Sequence, residues 1–94
     1  MGSLEILKVL GKHNMNNKFT IELSSDLRYE DVVVEIMYNE ETVATISQEK
    51  GLDKLEIEIF PPCEGKKWMF FFNDFLDALN AAKCFLLKMQ KIPE

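Results

Sequence analysis

The chain has few of the residues that bind metals or perform covalent catalysis. Two cysteines, Cys63 and Cys84, and one histidine, His13, are its whole supply of soft ligands in 94 residues. Structural zinc normally takes four such ligands, and two cysteines cannot build a disulfide framework, so neither a metal centre nor a cross-linked scaffold is expected. A cysteine–histidine nucleophile pair would need an activating neighbour, and the sequence supplies none locally, so both cysteines read as ordinary thiols. Cys63 follows Pro61 and Pro62 in a loop, and Cys84 falls in the last helix. Glycine-rich phosphate loops, the His-Glu-x-x-His zinc motif and the Gly-x-Ser-x-Gly elbow are all missing. No cofactor and no enzymatic activity are expected.

Long apolar runs are missing too. The longest, residues 68–72, is far short of the ~18 residues needed to cross a bilayer. The first residues lack the basic-then-apolar layout of a signal peptide, which predicts a cytoplasmic protein. Ile6 stands where a myristoylation motif wants Ser or Thr, and no Asn-x-Ser/Thr acceptor occurs. Positive charge is scarce: 11 basic against 16 acidic side chains give a net charge of −5. That is the wrong sign for a protein that binds nucleic acid or an anionic membrane, and it favours a basic partner. A chain this short buries only roughly 60–65% of its unfolded surface, which leaves little interior for an enclosed active site. A surface function is favoured.

Before residue 60 the dominant period is two, the mark of half-buried strands. Phe19, Ile21 and Leu23 alternate with Thr20 and Glu22. Val34, Ile36 and Tyr38 alternate with Glu35 and Met37, and Leu55, Ile57 and Ile59 with Glu56 and Glu58. These read as one-sided antiparallel strands. Asn39-Glu40 separates the third run from residues 42–47 at a hairpin spacing, although Glu is a poor choice where a primed turn wants Gly. Residues 4–10 make a first strand ending at Gly11, residues 12–18 a mobile polar loop, and residues 67–72 a sixth strand after the break at Pro61, Pro62 and Gly65.

A helix follows, with Asn73 as its N-cap, Asp74 and Asp77 in its first turn, Lys83, Lys88 and Lys91 in its second half and Pro93 as its stop. At about 100° per residue, Phe75, Leu76, Leu79, Ala82, Leu86, Leu87 and Met89 share one arc, with Ala78 and Phe85 at its margin. Asp77, Asn80, Ala81, Cys84, Lys88 and Lys91 fall opposite. Lys83 lands inside the arc and reads as a snorkelling stem. The expected architecture is a single α+β domain over residues 1–94: an antiparallel sheet of five or six strands with a C-terminal α-helix packed across one face.

Charge is uneven: residues 1–60 hold 6 basic and 12 acidic side chains, residues 61–94 hold 5 and 4. If Ile21, Ile36, Leu55 and Ile57 face the helix, alternation sends Glu22, Glu35, Glu56 and Glu58 to the other face together with Val33, Met37 and Val43. Glu30, Asp31, Glu40 and Glu41 would extend the negative field around the hairpin. The candidate partner-binding residues are therefore Glu22, Glu35, Met37, Glu40, Glu41, Glu56 and Glu58. A plain solvated face would carry the same residue types. Paired carboxylates also suit a glycosidase or nuclease, but nothing here would raise one pKa or exclude water. In the aromatic segment, Trp68, Phe70 and Phe72 cannot share a face with Met69 and Phe71. The helix covers one set, and the other needs cover from the chain, a second copy or a partner. Stacking of single-stranded nucleic acid on these rings conflicts with the net charge.

Residues 35–51 (EIMYNEETVATISQEKG), residues 55–62 (LEIEIFPP), Trp68, and residues 72–79 (FNDFLDAL) with Ala82-Lys83 resemble small bacterial immunity proteins. These are encoded beside polymorphic toxins of the Rhs and contact-dependent growth inhibition types, and each neutralises its own toxin by binding it. The resemblance spans roughly residues 29–87. It is one of layout, so no contact residue carries over. It implies a catalytically empty domain that inhibits a basic toxin, a nuclease in first place, by presenting carboxylates where phosphates would lie. The other reading is an adaptor or self-associating module that uses residues 67–72.

Overall fold

The computed structural model describes residues 7–15, 17–26 and 29–90. Among these residues five strands form one antiparallel sheet in chain order: β1 (Leu7–Asn14), β2 (Phe19–Asp26), β3 (Val33–Tyr38), β4 (Glu41–Ser47) and β5 (Glu56–Ile59). The helix α1 (Phe72–Gln90) follows and packs on β2 and β3. The chain is thus an α+β arrangement, as expected. Residues 4–6 of the expected first strand and the stop at Pro93 lie outside the described residues.

Alternation sets the inner face. Phe19, Ile21 and Leu23 of β2 pair with Tyr38, Ile36 and Val34 of β3, and together with Ala44 and Ile46 they form the core under Ala78, Ala82 and Leu86. Turn chemistry sets the register of β3 and β4. Asn39 and Glu40 have φ of 51° and 69°, the two left-handed positions of a type I′ hairpin turn, and Glu40 holds its place without the usual glycine.

The first hairpin is longer than expected. Residues 12–14 are not a loop but continue β1, pairing Lys12 with Glu22, His13 with Ile21 and Asn14 with Thr20. Among the described residues Met15, Asn17 and Lys18 lie between the strands, and the Met15 N–H to Phe19 O bond at 2.9 Å closes the hairpin. An edge strand is wet along one side, so polar residues suit it as well as apolar ones. Gly11 does not end the strand. It lets the helix approach: a Cβ there would sit 3.0 Å from the Phe85 ring.

The sixth strand does not form. Residues 66–71 are irregular, anchored by the Trp68 indole N–H donating to Phe60 O at 2.7 Å and by stacking of Trp68 on Phe70 and of Phe70 on Phe75, both at 5.3 Å. The rings bury themselves at the end of the sheet instead of pairing backbone with an edge. The helix starts two residues early, at Phe72: the Phe75 N–H bonds to Phe71 O at 3.1 Å, so Phe71 takes the cap position expected for Asn73. Of the two expected aspartates, Asp74 lies in the first turn.

The helix is also rotated about its axis relative to the expected arc. Ala78, expected at the margin, is fully buried with Ala82 and Leu86, and Ala81 is half-buried. Leu76 is 42% exposed. Small residues at the contact let the helix axis come close to the sheet, and close approach outweighs the bulk of the leucines on the flank. Lys83 is exposed. The side chains of Met89 and Lys91 lie outside the described residues.

Candidate partner-binding surfaces

The face opposite α1 carries one cross-strand row: Lys12, Glu22, Glu35, Thr45 and Glu58, each directly opposite the next. Strand parity therefore places Glu22, Glu35 and Glu58 together as expected, with Met37 and Glu56 on the same face. The face is not uniformly wet. Glu35 is only 7% exposed, and Ser24, Val33, Thr45 and Ser47 are buried beside it. These residues lie on the inner strands β2, β3 and β4. The expectation of a one-sided sheet fails at Val33, which is fully buried.

Val43 corrects the expectation differently. Ile36 pairs with Ala44 while Met37 pairs with Thr42, so Val43 is the extra residue of a bulge. A bulge reverses the parity of what precedes it. Val43 joins the core on the helix side, and Glu41, opposite the inward Tyr38, belongs to that side as well. Its carboxylate accepts a bond from the Cys63 thiol at 3.6 Å.

The acidic surface is consequently split. Glu22, Met37 and Glu40 line a shallow hollow of about 250 Å³ with Lys12 and Thr20. Glu56 and Glu58 line another of about 420 Å³ with Tyr29, Ser47 and Ile57. Lys50 pairs with Glu56 at 2.9 Å, an exposed contact that contributes little to stability. Glu30 and Asp31 stand at the far end of β3 from the hairpin, roughly 20 Å away at 3.3 Å per residue. Their backbone N–H groups donate to Glu49 at 3.0 and 3.2 Å.

Two apolar surfaces adjoin these. Phe19, Tyr38 and Phe70, with centroids 4.8 to 4.9 Å apart, line a cleft of about 470 Å³ with Met69, Phe71 and Asp74. Met69, Phe71 and Phe72 are between 77% and 82% exposed. Alternation holds for residues 68–71, since Trp68 and Phe70 turn inward and Met69 and Phe71 outward. Phe72 departs from it as the first helical residue.

The second apolar surface escaped the sequence reading, which gave Ile57 and Ile59 to the core. They are 43% and 58% exposed. The signal was present in the element count: a helix about 10 Å across covers two strands spaced about 4.8 Å apart, so one helix on five strands leaves an uncovered flank.

Cys84 and His13 line a cleft of about 270 Å³ between β1 and α1, among Lys12, Lys88, Ala81 and Phe85. Among the described residues no group of three or more His, Cys, Asp or Glu could hold a metal ion, and no helix is long and apolar enough to cross a membrane. No family model, no curated protein and no solved structure matches this chain.

Proposed function

We propose that this protein acts by stoichiometric binding, as a non-catalytic immunity protein that neutralises a basic toxin domain in the cytoplasm. The observation that carries the reading is the composition of β5 and its surroundings, where the exposed carboxylates of Glu56 and Glu58 alternate with the exposed side chains of Ile57 and Ile59. Apolar area supplies affinity at an interface, and the surrounding negative field supplies rate and selectivity for a basic partner. The layout of residues 29–87 supports placing that partner among toxins encoded beside their inhibitors. The test is co-expression with the toxin domain encoded by the neighbouring gene. Growth restored by this protein and a co-purifying pair support the reading; unrelieved toxicity with the protein present and folded contradicts it.

A second reading, self-association through the aromatic segment, is favoured by the exposure of Met69, Phe71 and Phe72. It expects a dimer at micromolar concentration that Phe71→Ser dissociates.

A further inference from the structure

The two edges of the sheet differ. β1 is irregular where Val9 pairs with Ser24 and Gly11 with Leu23, which makes Leu10 a bulge, and it carries Lys12 and His13. Bulges and basic side chains are devices that discourage strand addition. β5 pairs with β4 without a break in register from Ser47–Glu56 to Ala44–Ile59.

The ladder also fixes which way the β5 backbone points. Phe60 N–H donates to Val43 O at 2.8 Å, and hydrogen-bonded pairs in an antiparallel ladder recur every second residue, so Glu58 and Glu56 face β4. The N–H and C=O groups of Ile57 and Ile59 therefore point away from the sheet, and no partner for them occurs among the described residues.

Above this edge α1, which packs on β2 and β3, leaves Ile57 and Ile59 exposed. Phe85 and Ala81 lie on the β1 side of α1, so helical projection puts Leu76, Leu79 and Leu87 on the flank toward β5.

A second copy of the chain is a poor occupant. Two β5 strands related by a two-fold axis normal to the sheet keep their helices on one face, so residues directly opposite must have the same parity. Each such register that pairs more than one residue of the two β5 strands sets glutamate against glutamate, either Glu58 against Glu58 or Glu56 against Glu58, and directly opposed like charges repel. The same carboxylates attract a strand with basic residues at those positions.

We infer that the β5 edge is a strand-addition site for an extended partner segment alternating basic and apolar residues. The basic residues lie opposite Glu56 and Glu58, and the apolar ones opposite Ile57 and Ile59, on the side of the sheet that carries α1. This rests on the binding reading above, and it commits to how the partner docks.

A short capped peptide alternating Lys and Val is the probe, titrated into the isotope-labelled protein. Expected are resonance shifts centred on Ile57 and Ile59, about tenfold slower exchange of their two amides, and weakening by salt. The same peptide with Glu in place of Lys should not bind. Nor should the Lys–Val peptide N-methylated on the residues that face the edge, a control that leaves the protein untouched. Ile57→Pro, which removes an outward donor and no bond to β4, should abolish binding in a protein that still shows the native spectrum.

Shifts confined to residues 69–72, binding unaffected by N-methylation, no binding, or a dimer of the protein paired through β5 would each overturn the inference. Failure of the peptide rejects the edge and leaves toxin neutralisation to co-expression. Failure of co-expression with the peptide bound rejects the toxin and keeps the edge.

Discussion

Leu86→Ala and Leu76→Ala differ only in where the helix points them, and their comparison tests the orientation of α1. Leu86 is fully buried, and its buried neighbours on the helix, Ala78 and Ala82, are too short to fill the space it would vacate. The sheet below is held by its ladder. The cavity should therefore persist, which puts the loss near the middle of the range for buried leucines, about 3 to 4 kcal/mol. Leu76 keeps 42% of its surface in water, and truncating it should cost about 1 kcal/mol, the share of transfer energy for its covered half. A domain of this size has about 5 to 14 kcal/mol in total. With a urea slope of about 1 kcal/mol per molar, the midpoints should fall by about 3 M and 1 M respectively. Leu79→Ala, half-buried, should lie between them. Equal losses at positions 76 and 86, or a larger one at 76, would refute the orientation.

Gly11→Ala should destabilise by about 1 to 3 kcal/mol, because the new methyl meets the Phe85 ring at 3.0 Å in a packed contact. Much of the loss should return in the Gly11→Ala, Phe85→Leu double variant, and additive losses would place the clash elsewhere. Glu40→Gly should raise stability by up to about 1 kcal/mol, since φ of 69° strains any residue with a Cβ; an unchanged or lower urea midpoint would contradict it. Reversing Glu56 and Glu58 to Lys should slow association with the basic toxin while leaving the melt unchanged, because exposed charges steer more than they stabilise. Raising salt from about 50 to 500 mM, which shortens the Debye length from about 14 to 4 Å, should slow the unmodified pair in the same way. A normal rate for the reversed protein together with salt-independent binding would move the interface away from β5.

Where one residue decides one feature, the sequence was a sufficient guide. Phe19, Ile21 and Leu23 announced β2 and its buried face, and the row Glu22–Glu35–Glu58 followed from parity. Asn39-Glu40 marked the hairpin despite its missing glycine. What escaped the sequence depends on several elements at once. The bulge at Val43 leaves no composition signal, yet it turns Val43 and Glu41 to the helix side. Glu35 is surface-like in pattern and buried in fact, on the middle strand of the sheet. The helix rotated toward its alanines because contact distance, which no helical projection contains, governs the packing. Residues 67–72 alternate like a strand, but ring stacking and the Trp68–Phe60 bond offered them a better resting place than either edge. Ile57 and Ile59 alternate like core residues and miss the core because α1 packs mainly on β2 and β3.

Titration of the purified toxin domain with this protein bears most directly on the claim that it works by binding alone. Toxin activity should fall linearly, reach zero at one equivalent and not change further with time. Protection by a small fraction of an equivalent, deepening as the mixture stands, would reveal turnover and contradict that claim, as would full toxin activity at excess protein.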